Sequence, residues 1–194
     1  MARFAAYLDA CTLVPVVLCD TLLRLAERGL YRPLWSDQVI AEAREALTRI
    51  HPDIDVNRIN ARFRSMNEAF DDALVSGWQP LVEGLTLPDP NDRHILAAAL
   101  VGRADLIVTA NVRDFPGTTL DAFGIAVVTP DEFLLDQLDL RPALVVEVLE
   151  EQAHATRDPS LTVDAVLTRL ERAQAPQFAS TLRAKLATDS AQPR

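Results

Sequence analysis

An α/β domain with a parallel sheet, followed by a short all-helical segment, is the architecture this sequence predicts. Three features predict it. Short apolar runs at residues 4–8, 106–109 and 124–128 alternate with stretches of helical periodicity. Two of those runs end close to polar residues, Asp9 and Asn111, as strands at a functional sheet edge do. After Arg141-Pro142 no strand candidate follows, and three helical stretches do.

The elements follow in order. Residues 4–8 form a buried strand that closes on the carboxylate of Asp9. Over residues 15–27, Val16, Val17, Leu22, Leu23 and Leu25 recur at helical spacing, with Pro15 suited to the first turn and Gly29 to the end. Ser36-Asp37 caps a second helix with Val39, Ile40, Ala43 and Leu47 on one side, and Pro52 stops it. Residues 56–74 form a third helix carrying Ile59, Phe63, Met66 and Phe70, and residues 78–82 a short strand or extended link. Pro88-Asp89-Pro90 forces a loop. A helix starting at Asn91 or Asp92 then runs through Ile95, Leu96, Ala99 and Leu100 to Gly102. Residues 106–109 and 124–128 are strands, and residues 130–138 a short helix with Thr129 as its cap. Beyond these, residues 143–154, 162–173 and 178–186 are helices, separated by Asp158-Pro159-Ser160 and Ala175-Pro176. The expected division is a domain over residues 1–140, a helical extension over 141–188 and a flexible tail over 189–194.

Composition excludes several classes. With 49% apolar residues in 194, the chain has enough material for a core and is not a disordered one. No uncharged stretch is long enough to span a bilayer. Asp9 comes too early for a signal peptide, so a cytoplasmic protein without membrane attachment is expected. Cys11 and Cys19 fall about 12 Å apart along a helix, too far for a disulfide. The 28 acidic against 19 basic residues give a net charge of −9, which excludes a general nucleic-acid coating protein. It leaves room for an enzyme whose clustered carboxylates hold a metal.

Such a cluster is readable. Asp9 and Asn111 each follow a predicted strand, Asp114 comes three residues later, and Asp92 starts the helix that feeds the second strand. Glu42 lies close to the apolar face of its helix, where an unpaired carboxylate is costly and calls for a partner. The three histidines are scattered, so no zinc spacing exists; an all-oxygen set suits Mg²⁺ or Mn²⁺. Singly, each residue has a plain alternative: Asp9 starting a turn, Asp92 capping a helix, Asn111 in a turn, Glu42 in solvent. Thr109 is equally a strand threonine satisfied by backbone. Arg58 and Arg62 share a helix face able to guide phosphate groups, or simply a solvated face. His94 points about 200° from Asp92 around a helix and is expected at the surface or in a cap.

Residues 87–99, Leu-Pro-Asp-Pro-Asn-Asp-Arg-His-Ile-Leu-Ala-Ala-Ala, run on to residues 104–116, Ala-Asp-Leu-Ile-Val-Thr-Ala-Asn-Val-Arg-Asp-Phe-Pro. This stretch resembles the signature half of a PIN domain. Tyr7-Leu8-Asp9-Ala10 and the helix around Glu42 are similar to the other half, in the same order, over about residues 1–135. The resemblance implies a Rossmann-like α/β/α fold and a metal-dependent ribonuclease like the VapC toxins of toxin–antitoxin pairs. The helical C-terminal segment is similar to the extension of a VapC subgroup.

Carried over residue by residue, the resemblance implies catalytic Asp9, Glu42, Asp92 and Asp114. Asp9, Glu42 and Asp92 are then the metal-binding acids, Asn111 and Asp114 complete the surroundings of the metal, Mg²⁺ or else Mn²⁺, and Thr109 orients them. Asn111 stands where many PIN domains have a fourth acid, and an amide coordinates more weakly. RNA is the implied substrate and a cognate antitoxin the implied partner, with a homodimer left open. Three rivals remain at this level: a PIN-fold binding protein with weak or no nuclease activity, a metal-dependent phosphatase, and a helical interaction module.

Overall fold

The computed structural model describes residues 4–155 and 161–191. Five strands, β1 (Ala5–Leu8), β2 (Arg32–Ser36), β3 (Leu74–Val75), β4 (Leu106–Val108) and β5 (Ala126–Val128), form one sheet in the order β3-β2-β1-β4-β5, with every pair parallel. The helices are α1 (Ala10–Leu13), α2 (Val16–Glu27), α3 (Asp37–Ile50), α4 (Val56–Ala69), α5 (Arg93–Gly102), α6 (Gly117–Leu120), α7 (Pro130–Leu140), α8 (Pro142–Ala155), α9 (Val163–Arg172) and α10 (Pro176–Ala191). The expected α/β architecture with a central parallel sheet and C-terminal helices is the one observed.

The central strand β1 is buried along its whole length, and its ladder runs on through the amide of Asp9, which donates to the Val108 carbonyl at 3.1 Å. The sheet order therefore sets the carboxyl end of β1 beside that of β4, which brings Asp9 next to Thr109 and Asn111.

The sequence reading missed β2, because Arg32 and Pro33 interrupt its apolar run. Pro33 is nonetheless tolerated in an interior strand. Arg32 donates to Phe4 on the β1 side and Trp35 donates to Ala73 on the β3 side. Successive residues alternate sides, so the missing N–H of Pro33 faces β3, which pairs only with Trp35 and Ser36. Two further expectations are corrected. The third helix ends at Ala69 rather than at residue 74, where Asp71-Asp72 disfavour helix and Leu74–Val75 joins the sheet. Residues 79–82 lie in a 3-10 helix, Gln79–Gly84, with Trp78 at its N-cap, and not in a strand.

The second helix matches its sequence signals closely. The Ser36 hydroxyl accepts from the Val39 amide at 3.2 Å, and Val39, Ile40, Ala43 and Leu47 are its buried residues. A close approach marks the end of α5. A Cβ on Gly102 would stand 2.8 Å from Val75 Cγ2, and Arg103 takes the left-handed cap at φ 54°.

The chain forms two compact units that are not consecutive in sequence. One holds residues 1–14 and 29–129, with all five strands; the other holds residues 15–28 and everything from Pro130 onward. In the second unit α2 packs on α8 and α9, and α10 packs on α7 and α9. Buried polar contacts fix these helices. Thr21 Oγ1 donates to Gln152 Oε1 at 2.7 Å, and Gln152 Nε2 donates to the Val17 carbonyl at 3.0 Å. The Asp131 carboxylate accepts from the amides of Gln177 and Phe178, so it caps α10 from another helix. The α10 helix runs to Ala191, so residues 189–191 continue it. The expected break at Asp158–Ser160 and the tail from residue 192 lie outside the described residues.

A cut at residue 140 therefore leaves α2 in the chain without the helices it packs on. The fragment ending at Leu140 is expected to self-associate in size-exclusion chromatography and to lose its cooperative melt, because α2 keeps an apolar face with Leu18, Leu22 and Leu25. A monodisperse fragment with a native-like melt would contradict this.

Candidate active site

The cleft is built outward from Asp9, which is only 6% exposed. As the N-cap of α1, Asp9 accepts from the Ala10 amide through Oδ1 at 2.5 Å. Its Oδ2 accepts from Thr109 Oγ1 at 2.6 Å and from the Cys11 thiol at 3.2 Å. Thr109 is fully buried and also accepts from the Asn111 amide at 3.1 Å. Its hydroxyl thus donates to a carboxylate, which sets aside the alternative of a strand threonine satisfied by backbone alone. The amide of Ala110 donates to Cys11 Sγ at 3.2 Å. Burial and the neighbouring Asp9 charge push the Cys11 thiol up to about 12, so it stays protonated and is no nucleophile. Both cysteines are free, as the spacing predicted.

Asp92 sits at the N-cap of α5, yet its carboxylate makes no capping hydrogen bond. Its neighbour Asp89 does the local work, accepting from the Asn91 amide at 2.8 Å. Asp92 is pushed up to about 6, first by partial burial and then by the negative charges of Asp89, Asp9 and Asp114, with His94 opposing. Like charges therefore converge here.

Glu42 is held differently. Its Oε1 lies 3.0 Å from His94 Nε2 and accepts from Gln38 Nε2 at 3.0 Å. Burial pushes its carboxyl up, but the hydrogen bonds from His94 and Gln38, with the His94 charge, outweigh that and hold it below the usual glutamate value. The expectation for His94 is corrected: it is buried at 9% exposure and packs against Trp78 with 5.8 Å between ring centroids. Its ring leads to Glu42 on α3 and not to solvent.

Asp9, Glu42, Asp92 and Asn111 line one open cleft of about 370 Å³, together with Cys11 and Arg49. Asp114 lies close enough to act on Asp92 but is not in the lining. Arg62 is committed elsewhere: its guanidinium donates to the Leu13 carbonyl at 2.6 Å and rests over the Phe63 ring. Arg58 is exposed on the same helix. Arg49 is the cation that the sequence reading missed. It stands seven residues after Glu42 on α3, two turns along one face, and that spacing was there to be read.

The chemistry of the donors fits a hard divalent cation, since carboxylates and an amide line one cleft and partial burial, then nearby like charges, raise the Asp92 carboxyl. Among the described residues no three of His, Cys, Asp and Glu already stand close enough together to hold a metal ion. The carboxylates that line the cleft would have to close on the cation.

The raised Asp92 carboxyl has a consequence for stability. Free aspartate titrates near 3.9, so between about pH 4 and 6 the folded protein binds more protons and stability falls as pH rises. Metal-free Asp92→Asn should melt above wild type at pH 7 to 8, with the gain vanishing near pH 4. Thermal melts in EDTA across that range check it, and a gain independent of pH would contradict the cause given.

Comparison with known proteins now adds to this geometry. Residues 130–184 match the model of the VapC50 C-terminal domain. Over 92 residues the chain is 44% identical to a protein of Mycobacterium tuberculosis (strain ATCC 25618 / H37Rv) named "Putative ribonuclease VapC50". That match spans 47% of this chain and 54% of the relative, about half the length of each. No solved structure matches significantly. Among the described residues no helix is long and apolar enough to cross a membrane. The model of the PIN domain matches residues 5–113, more than half of the chain and every residue that lines the cleft, and the protein therefore belongs to the PIN-domain family.

Proposed function

We propose that this protein is a Mg²⁺-dependent endoribonuclease, the toxin of a toxin–antitoxin pair acting in the cytoplasm. The observation that carries the reading is the cleft at the ends of β1 and β4, where Asp9, Glu42, Asp92 and Asn111 meet in a PIN domain. The name of the mycobacterial relative supports RNA as the substrate.

Asp9, Glu42, Asp92 and Asn111 would hold the cation, with Asp114 adding charge from beside Asp92. Bound there, Mg²⁺ would polarise the scissile phosphate and stabilise the leaving oxygen, with Mn²⁺ able to replace it. Thr109 fixes the orientation of the Asp9 carboxylate by its hydrogen bond. Glu42, kept ionised by His94 and Gln38, is available to accept a proton from the attacking water. Arg49 on the rim supplies positive charge for a substrate phosphate, in the role that Arg62 is not free to take. A short cognate antitoxin would inhibit by placing a basic side chain among these carboxylates.

Asn111 favours one second reading, a PIN-fold protein that binds RNA without cutting it, because its neutral amide lines the cleft where charge is wanted. Incubation of the purified protein with RNA, with EDTA and after Mg²⁺ is restored, separates the two. Cleavage should stop in EDTA, return with Mg²⁺, and be lost in Asp9→Ala and Asp92→Ala while both variants stay folded. Binding without cleavage would support the second reading. Hydrolysis of a small phosphate ester in place of RNA would point to a phosphatase. In bacteria, expression should arrest growth, Asp9→Ala should not, and co-expressed antitoxin should restore it.

The arginines give a separate expectation. Arg49→Ala should raise KM for RNA and flatten its salt dependence by about one phosphate contact, with the melting temperature unchanged. Arg62→Ala should instead lower the melting temperature, because it frees the Leu13 carbonyl. The reverse pattern in KM and melting temperature would contradict these assignments.

A further inference from the structure

Two acids of the cleft ride on separate elements, Glu42 on α3 and Asp92 at the start of α5, and one buried side chain ties these elements together. His94, in the first turn of α5, places Nε2 3.0 Å from Glu42 Oε1. Its Nδ1 is buried and has no hydrogen-bond partner among the described residues. The ring rests against Trp78, whose indole donates to Asp37 Oδ1 at 3.3 Å at the N-terminus of α3. All the hydrogen bonding of His94 is therefore spent on Glu42. Gln38 adds a second donor to the same oxygen, so Oε1 receives both contacts.

Packing alone does not account for this residue. A buried imidazole with an unsatisfied nitrogen costs stability that an apolar ring of similar size would not. What the histidine provides is a fixed donor to a carboxylate that lines the cleft.

We infer that His94 is the positioning residue for Glu42: it anchors Oε1 and leaves Oε2 for the cleft shared with Asp9 and Asp92. The inference rests on the metal-dependent reading given above. It assigns to His94 a role in cation binding that acts only through Glu42.

The test uses the full chain, with Mn²⁺ as the probe and bound ion counted by electron paramagnetic resonance, beside RNA cleavage and thermal melts. His94→Phe should keep the wild-type melting temperature within a few degrees or raise it, yet weaken Mn²⁺ binding by about 10–100-fold, as loss of a ligand-orienting contact does. His94→Gln, which restores a donor, should recover most of that affinity. In a Glu42→Gln background, His94→Phe should cost nothing further. Should His94→Phe not fold, His94→Asn replaces it in the same cycle, because its shorter amide falls short of Glu42. Wild-type Mn²⁺ affinity in the folded variant would overturn the inference while leaving the nuclease reading intact. So would a penalty that persists in full without the Glu42 carboxylate. Absence of Mn²⁺ binding by the wild-type protein would overturn the metal reading itself, and this inference with it.

Discussion

The 2.6 Å hydrogen bond from Thr109 to Asp9 joins the ends of the two central strands, and the rest of the cleft depends on it. Parallel pairing of β1 with β4 brings the two residues side by side, since Leu8 pairs with Val108 and the Asp9 amide continues the ladder. The buried hydroxyl then fixes the direction of a buried carboxylate. Thr109 in turn accepts from the Asn111 amide, so the same bond sets the path of the chain leaving β4. An interaction between residues a hundred positions apart thus converts sheet topology into a site.

Around that bond the protein holds negative charges that would separate in water. Asp92 is left without a cap partner and feels Asp9, Asp89 and Asp114. Glu42 is given donors from His94 and Gln38, and Asp9 from Ala10, Thr109 and Cys11. The result is a cleft in which Asp9 and Glu42 are held by donors and Asp92 is not, a division suited to a ligand that brings positive charge. An overall charge of −9 is compatible with the proposed RNA substrate on these terms, because a bound cation and Arg49 would supply local attraction where the surface does not.

Local signals made much of this legible in the sequence. Asp9 directly after an apolar run marked the end of β1, and Ser36 with four apolar positions fixed the start and buried face of α3. The strands missed were those with weak local signals: β2, broken by Arg32-Pro33, and β3, only two residues long. An amphipathic pattern says that α2 buries one face but not what covers it, so its packing on α8 and α9 was invisible. His94 shows the same gap. Helical geometry gave its direction relative to Asp92, and only the placement of α3 reveals that the direction ends on Glu42.

The central claim is that Asp9 and Asp92 share a divalent cation. Crystals grown with Mn²⁺, with data collected at the manganese absorption edge, test it most directly. The account predicts an anomalous peak in the cleft at about 2.0–2.3 Å from oxygens of both carboxylates. A cleft without a peak at saturating Mn²⁺, or a peak that touches neither residue, would contradict it.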